Sequence, residues 1–272
     1  MVMILSSMIS MALEEEFTTY ENCKLIHEDW NDGDSFQMKL PDGTKKVFRL
    51  YGVDCLETSD KQEFMKKRLD TQAFYFGIYR KDDASKRHKR LKQLGKKATQ
   101  EMKRLLGKPF TVITRHKSAR GKFGSRFYAY VLTRDGLDVG KSLVKTGHAR
   151  VYGFIDDLPN VDEGSYRREL YDLEMIALGK RNGIWVKTDW REFLKERAKY
   201  RKRTGKININ TAKNDDDTLA LIVERSGVSK KLVKTVLDKR PAGGYKDEKS
   251  LDDVPGVGEK TVKKLAAVLK FK

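Results

Sequence analysis

The sequence contains few cysteines, prolines and histidines. Only 2 cysteines, 5 prolines and 4 histidines occur among its 272 residues. The two cysteines, Cys23 and Cys55, either pair in an oxidising compartment or are two small buried thiols. The cysteines and histidines lack the spacing of zinc ligands, which argues against a zinc site. No apolar run approaches the ~20 residues that a membrane-spanning helix requires, so we expect no membrane span.

Positive charge is what the chain has in excess. Its 57 lysines and arginines outnumber its 39 acidic residues and give a net charge of +18, while 39% of the residues are apolar. Such a charge indicates a polyanionic partner, nucleic acid first and an anionic membrane surface second. A merely solvated basic surface is the alternative, but basic residues cluster in runs such as 85–97. The length allows one large domain or two modest ones.

Residues 1–16 resemble a short signal segment. An apolar stretch is followed by Ser10-Met11-Ala12, a small-residue cleavage pattern. No lysine or arginine precedes the apolar part, as one usually does in such a segment. The segment predicts a secreted or cell-envelope protein, with a cytoplasmic location as the alternative.

Strand and helix patterns alternate through residues 17–190. Asp32-Gly33 and Asp42-Gly43 are hairpin signals, and the segments FTVITRH and RFYAYVL are rich in β-branched and aromatic residues. Helical spacing is found in the stretch that contains Met65, Leu69 and Ala73, and again from Ala98 to Leu106. Five short strands with interspersed helices predict an α+β domain built on a small closed β-barrel.

Residues 206–272 have a different character. A basic helical linker is predicted at 191–205, and short helices with glycine-centred turns follow it. A weak internal repeat relates residues 226–237 to residues 255–266. In each copy a glycine-containing turn leads into an amphipathic helix, which predicts a small all-α second domain.

Charged residues interrupt the apolar strand FRLYGVDCLET, residues 48–58, and recur at turn-like positions elsewhere. They are Asp32, Asp34, Arg49, Asp54, Glu57 and Arg126. Buried unpaired charges are costly, so these side chains need partners or a ligand. Carboxylates hold hard cations such as Ca²⁺, arginines bind phosphate, and a glutamate can deprotonate water. Together they supply what metal-assisted phosphodiester hydrolysis requires.

A structural interpretation exists for each of these residues taken singly. Asp32 and Asp34 are also good turn formers. Arg49 can pair with Asp54 or Glu57 in a purely structural ion pair. The occurrence of all of them in one order favours the chemical interpretation.

Three blocks, DGDSF, FRLYGVDCLET and KFGSRFYAYVL, resemble the signature blocks of the staphylococcal nuclease (thermonuclease) family. The segments LVKTGHARV and ALGKRNGIW resemble its C-terminal elements, so that the resemblance covers the stretch 20–190. It implies an OB-type barrel of five strands with three helices, and calcium-dependent cleavage of DNA and RNA that leaves 3′-phosphates.

The resemblance also implies a metal site. Asp34 and Asp54 would bind Ca²⁺, with the backbone carbonyl of Cys55 as a third protein ligand. Asp32 would be a weaker ligand or would lie just behind the others.

The implied catalytic residues are Glu57, as the general base on the attacking water, and Arg49 and Arg126, which would clamp the scissile phosphate. Cys55-Leu56 stands where the family has Thr-Pro, so the loop that aims Glu57 is expected to be looser. One additional residue precedes Arg126.

Two further regions carry open alternatives. The stretch 60–94 is longer than the family needs and is either a basic arm that contacts DNA or a plain surface helix. Phe123 and Tyr152 lie where aromatic rings could stack on a base, and buried packing is the alternative for each.

The tail resembles the paired helix-hairpin-helix domain of competence-type DNA-binding proteins, on the segments ININTA, GGYKDEKSLDDV and VPGVGEKTVKKL. Hairpins of this class present backbone N–H groups to phosphates, which requires glycine. The predicted DNA-binding residues are Gly256, Val257, Gly258, Lys260 and Thr261. The first hairpin has Ser226 and Ser229 where proline and glycine are expected, so a purely structural role is open there.

We therefore expect a monomeric, two-domain, calcium-dependent nuclease that acts on DNA, RNA or both with little sequence specificity, and whose tail holds DNA. The alternative is a catalytically inactive protein that binds or tethers DNA on the same fold. A third possibility is a structural scaffold whose basic surface meets anionic polymers in general.

Overall fold

The computed structural model describes residues 16–78, 83–119, 125–158, 161–188, 193 and 206–271. Residues 1–15 of the predicted signal segment, Phe123, and all of the predicted linker except Phe193 lie outside this part of the chain.

A closed barrel forms the centre of the larger unit. The strands of this unit are β1 (Thr18–Leu25), β2 (Ser35–Lys39), β3 (Lys45–Leu50), β4 (Val53–Cys55), β5 (Phe110–Thr114), β6 (Arg126–Leu132) and β7 (Ala149–Val151). Five of them close the barrel in the order β1-β2-β3-β6-β5. Only the β3–β6 pair is parallel among these five. The predicted α+β class with an OB-type barrel is confirmed.

The barrel closes because alternate side chains of its strands point inward. In β5, Phe110, Val112 and Thr114 are buried, and the residues between them are half-exposed. Phe36 and Phe48 lie opposite each other on β2 and β3, and both are fully buried. This alternation is the period of 2 that a strand imposes on a sheet with one buried face.

Within the described ranges, four α-helices surround the barrel: α1 (Glu63–Tyr75), α2 (Ala84–Leu105), α3 (Val139–Lys145) and α4 (Glu163–Lys180). Helix α2 is one helix of 22 residues. The predicted start at Ala98 is therefore wrong, since the basic run 85–97 belongs to the same helix. His88, Leu91 and Gly95 continue the buried face of Ala98 and Met102 towards the N-terminus at helical spacing, and the basic residues occupy the other faces.

The close approach of α2 holds the loop that follows β4. A methyl group on Gly95 would lie 2.5 Å from the carbonyl oxygen of Leu56 and 2.9 Å from that of Glu57. Only glycine allows the helix to come this near. Leu56 itself is fully buried in a second core with Leu69 and Trp185. Packing thus fixes the segment for which the absence of proline predicted looseness.

The tail forms a compact unit with its own core. Its elements are β8 (Ile207–Asn208), α5 (Asp216–Ser226), α6 (Lys230–Asp238), α7 (Glu259–Ala266) and β9 (Leu269–Lys270). Ile209, Ile222 and Leu265 are among its fully buried residues. Helix α5 packs against α4, where Nη1 of the buried Arg225 lies 3.4 Å from Oδ1 of Asp172. The domain boundaries 17–190, 191–205 and 206–272 stay predictions.

The two cysteines are buried, free thiols. The interpretation as two small buried thiols is therefore confirmed, and the disulfide alternative does not hold. None of the helices in the described ranges combines the length and the apolar character that crossing a bilayer would require.

Candidate active site

A cleft of about 690 Å³ opens between the barrel and α1. Its polar lining consists of Asp32, Ser35, Arg49, Glu57, Arg68, Ser125 and Arg126. Four of the predicted site residues thus share one cleft. Asp34 and Asp54 are almost fully buried, and both are ion-paired with Arg49.

Strand register brings the two predicted phosphate ligands together. Val47 of β3 lies opposite Arg126 of β6 in the parallel pair. Arg49 is two residues beyond Val47, so both arginines emerge on the same face of the sheet. Their guanidinium groups meet at one hydroxyl, because Nη1 of Arg49 lies 3.4 Å and Nη1 of Arg126 3.2 Å from Oγ of Ser35. Two guanidinium groups therefore converge there, and each can bind a phosphate through two parallel N–H bonds.

Asp34 fixes Arg49 from below. Its Oδ1 accepts hydrogen bonds from Nη1 of Arg49 and from Oγ of Ser35, each at 2.9 Å. Its Oδ2 accepts from the backbone N–H of Cys55 at 2.7 Å. One carboxylate therefore joins β2, β3 and β4 beneath the cleft.

Asp54 is the most heavily bonded side chain of the site. Its Oδ1 accepts from Arg49 at 2.9 Å and from Arg68 at 2.8 Å, and its Oδ2 accepts from Arg150 at 2.8 Å and from Gln72 at 2.9 Å. These four donors use the roughly four lone-pair positions of a carboxylate. Burial alone would raise the pKa of Asp54, but Arg150, Arg49 and Arg68 together lower it below its ordinary value.

Glu57 lies at the cleft wall on the loop after β4. Its backbone N–H donates to Oε1 of Gln72 at 3.1 Å, and its Oε1 pairs with Nε of Arg68 at 2.7 Å. Burial raises the pKa of Glu57, although Arg68 opposes this shift. A raised carboxyl pKa brings the group closer to the range in which a general base is most effective near neutral pH.

Asp32 completes the acidic side of the cleft. Its Oδ1 accepts from the backbone N–H of Ser35 at 2.7 Å and of Asp34 at 3.3 Å, so the turn-forming role is present. Burial, with the neighbouring charges of Asp34 and Glu57, raises the pKa of Asp32 well above its ordinary value.

The predicted calcium ligands have suitable chemistry but are already engaged. Carboxylate and carbonyl oxygens are what Ca²⁺ prefers. The Asp54 oxygens accept four N–H bonds, and the Cys55 carbonyl accepts from Nε2 of Gln72 at 2.7 Å. Among the residues that the structure describes, no three His, Cys, Asp or Glu side chains are grouped to hold a metal ion. At Asp54 an ion would have to displace N–H donors, because four of them use the roughly four lone-pair positions of this carboxylate.

Four residues of this site were missed by sequence reasoning: Ser35, Arg68, Gln72 and Arg150. Arg68 and Gln72 are four residues apart on α1, within the stretch 60–94, so this stretch contributes to the cleft. Gln72 is fully buried beside Leu69 and Ala73. A polar residue at a core position of a helix was the one available signal, because a buried amide needs partners.

Tyr152 lies beside this network but outside the cleft lining. Its ring is 56% exposed, so the buried alternative is wrong. The guanidinium carbon of Arg150 lies 4.4 Å from its ring centre and 5.0 Å from that of Tyr75. The two rings therefore enclose Arg150 and hold it against Asp54.

The two copies of the tail repeat, residues 226–237 and 255–266, differ in their local bonding. Gly256 has a φ of +82°, and Gly258 precedes α7 without a side-chain cap. Gly258 and Lys260 are exposed, while Val257 is buried in the tail core. In the first copy, Ser229 instead caps α6 with its own hydroxyl.

Residues 47–187, just over half of the chain, match the protein family described as staphylococcal nuclease homologue. The match includes Arg49, Asp54, Glu57 and Arg126, whereas Asp32, Asp34 and the tail lie outside it. No match was found among curated proteins.

Replacement of Arg68 by methionine should raise the pKa of Glu57 further. Methionine fills similar space but removes the cation that lowers this pKa. Arg68→Lys retains the charge and should shift the pKa less. Carbon-13 NMR titration of the side-chain carboxyl groups measures it, with Glu57→Gln to assign the signal. An unchanged or lower pKa in Arg68→Met would show that Arg68 does not set the charge state of Glu57.

Proposed function

The chain belongs to the staphylococcal nuclease family, and we propose that it hydrolyses phosphodiester bonds of DNA, RNA or both with little sequence specificity. The family is one of nucleases, which implies a nucleic acid substrate. The observation that carries the proposal is the convergence of Arg49 and Arg126 on Ser35, in the same cleft as Glu57. These are the groups that an attacked phosphate and an attacking water require.

In the proposed reaction, the phosphate sits between the two arginines, which stabilise the charge that grows on its oxygens. Glu57 takes a proton from the attacking water. Arg68 holds Glu57 in the described state and has a side chain that is 42% exposed. We expect this exposed side chain to move away and release Glu57 when substrate enters.

We propose Ca²⁺ as the activating ion. The support is the general calcium dependence of the family and the oxygen donors of Asp34, Asp54 and the Cys55 carbonyl. When bound there, the ion would add positive charge beside the scissile phosphate. The N–H contacts described above must first exchange before the ion can bind.

Cleavage of labelled single- and double-stranded DNA by the full chain tests the proposal, with calcium and with chelator. Glu57→Gln should lower the rate by about 100-fold or more, as loss of a general base does. Glu63→Gln is the matched control, because Glu63 forms an exposed ion pair with Lys66 and does not line the cleft. Equal rates in Glu57→Gln and wild type would contradict the role of Glu57, and equal rates with chelator would contradict the calcium proposal.

A protein that binds or tethers DNA without cutting it is the second candidate function. The observation that favours it is that four N–H donors occupy the Asp54 carboxylate and that Gln72 also donates to the Cys55 carbonyl. Tight DNA binding with no cleavage in any divalent metal would establish this alternative.

We also propose that the tail holds DNA through its second hairpin. The support is that Gly258 and Lys260 are exposed at the start of α7, since a helix N-terminus attracts phosphate. Contacts of this kind carry no sequence information, in keeping with the low specificity proposed for the cleft.

The internal repeat supplies a matched pair of variants for the tail. Lys260→Ala should weaken DNA binding and reduce the salt slope by about 1, because one phosphate contact is lost. Lys231→Ala changes the corresponding exposed lysine of the first hairpin and should have a smaller effect. Fluorescence anisotropy in chelator, with Glu57→Gln in every protein, measures both. Equal effects of the two variants would contradict a specific role of the second hairpin, because both lysines would then act as parts of a general basic surface.

A further inference from the structure

Two large aromatic side chains line the cleft without taking part in the proposed chemistry. Trp30 is 50% and Phe64 56% exposed, and both belong to the cleft lining. Single exposed apolar residues are ordinary on a protein surface. Two exposed aromatic rings in one cleft, beside groups that suit a phosphate, form a site with both an apolar and a cationic part.

Both rings are carried by fixed backbone. Trp30 precedes the buried Asn31, whose amide nitrogen donates to the Ile26 carbonyl at 2.7 Å and whose amide oxygen accepts from the Gln37 N–H at 3.0 Å. Phe64 lies in the first turn of α1, four residues before Arg68, so the two share one helix face. A ligand that binds here does not have to order the backbone, which lowers the cost of binding.

The charges of the cleft identify the ligand. Arg49, Arg68 and Arg126 line the same space as the two rings. A purely apolar peptide would bring no anion to these guanidinium groups, and inorganic phosphate would leave the rings uncovered. A nucleotide unit satisfies both, because its phosphate meets arginine and its base stacks on an aromatic face.

We propose that Trp30 and Phe64 form a nucleobase-binding site for single-stranded nucleic acid, which takes one unstacked base next to the phosphate held by Arg49 and Arg126. This inference rests on the proposed function, since it uses the same phosphate position. A base inside a duplex is paired and stacked, and both interactions must be broken before the base can enter the site. The site therefore favours single strands over duplex, and it accepts every base, because each has a stacking face.

The test is binding of two labelled oligonucleotides of equal length, an oligothymidylate and an abasic strand that has only the sugar-phosphate backbone. Full-length protein with Glu57→Gln is used in chelator, so that no strand is cut. Trp30→Ala and Phe64→Ala should each weaken oligothymidylate binding by about 5- to 100-fold and leave abasic binding nearly unchanged. Trp30→Phe keeps a ring and should retain most of the affinity.

Phe74→Ala is the matched control, since Phe74 is a 61% exposed ring on the same helix that does not line the cleft. Equal losses on both strands, or no loss on oligothymidylate, would overturn the inference. If the binding depends on the base but the wild-type protein does not cleave DNA, the base-binding site is supported and the nuclease proposal is rejected. Normal cutting and unchanged binding in Trp30→Ala and Phe64→Ala would reject the site alone.

Discussion

The structure around the cleft depends on one buried carboxylate, Asp54. Its side chain is fully inaccessible and accepts four N–H bonds from Arg49, Arg68, Gln72 and Arg150. These donors come from β3, α1 and β7, so one residue ties the barrel, the first helix and the strand after α3 together. An unpaired charge could not stay in this position, because the cost of removing it from water would exceed any gain from packing.

Two arginines of this network, Arg49 and Arg68, both stabilise the buried carboxylates and line the cleft. Arg49 holds Asp34 and Asp54 in place, and it also lines the cleft where a phosphate would bind. Arg68 stabilises Asp54 and occupies Glu57, yet it is far more exposed than Arg49 or Arg150. The buried contacts of Arg49 and Arg150 with Asp54 are therefore fixed, whereas the exposed contacts of Arg68 can exchange. That combination suits a site that must be preorganised for a transition state and still admit an ion and a long polyanion.

The sequence predicts the part of this site that carries local signals. The apolar strand interrupted by Arg49 and Asp54, and the turn residues around Asp32, indicate both the barrel and its charged edge. The donors Gln72 and Arg150 could not be foreseen, because their distance from Asp54 depends on tertiary packing of α1 and β7. The predicted helix α2 was too short at its N-terminal end, because the many basic residues of 85–97 outnumber the buried residues His88, Leu91 and Gly95 among them. The close approach at Gly95 also left no sequence pattern beyond a glycine inside a helix.

Equilibrium unfolding of wild type and Asp54→Asn between pH 7 and pH 3 tests the central claim most directly. The claim is that an ionised Asp54 holds the network. Asparagine lacks the charge, so the variant should lose about 3–5 kcal/mol at pH 7. The pKa of Asp54 is lowered on folding, so its contribution is present above about pH 4 and is lost as the pH falls through the folded pKa. The two proteins should therefore converge in stability at acidic pH. Equal stability at pH 7, or a difference that stays constant down to pH 3, would contradict the account.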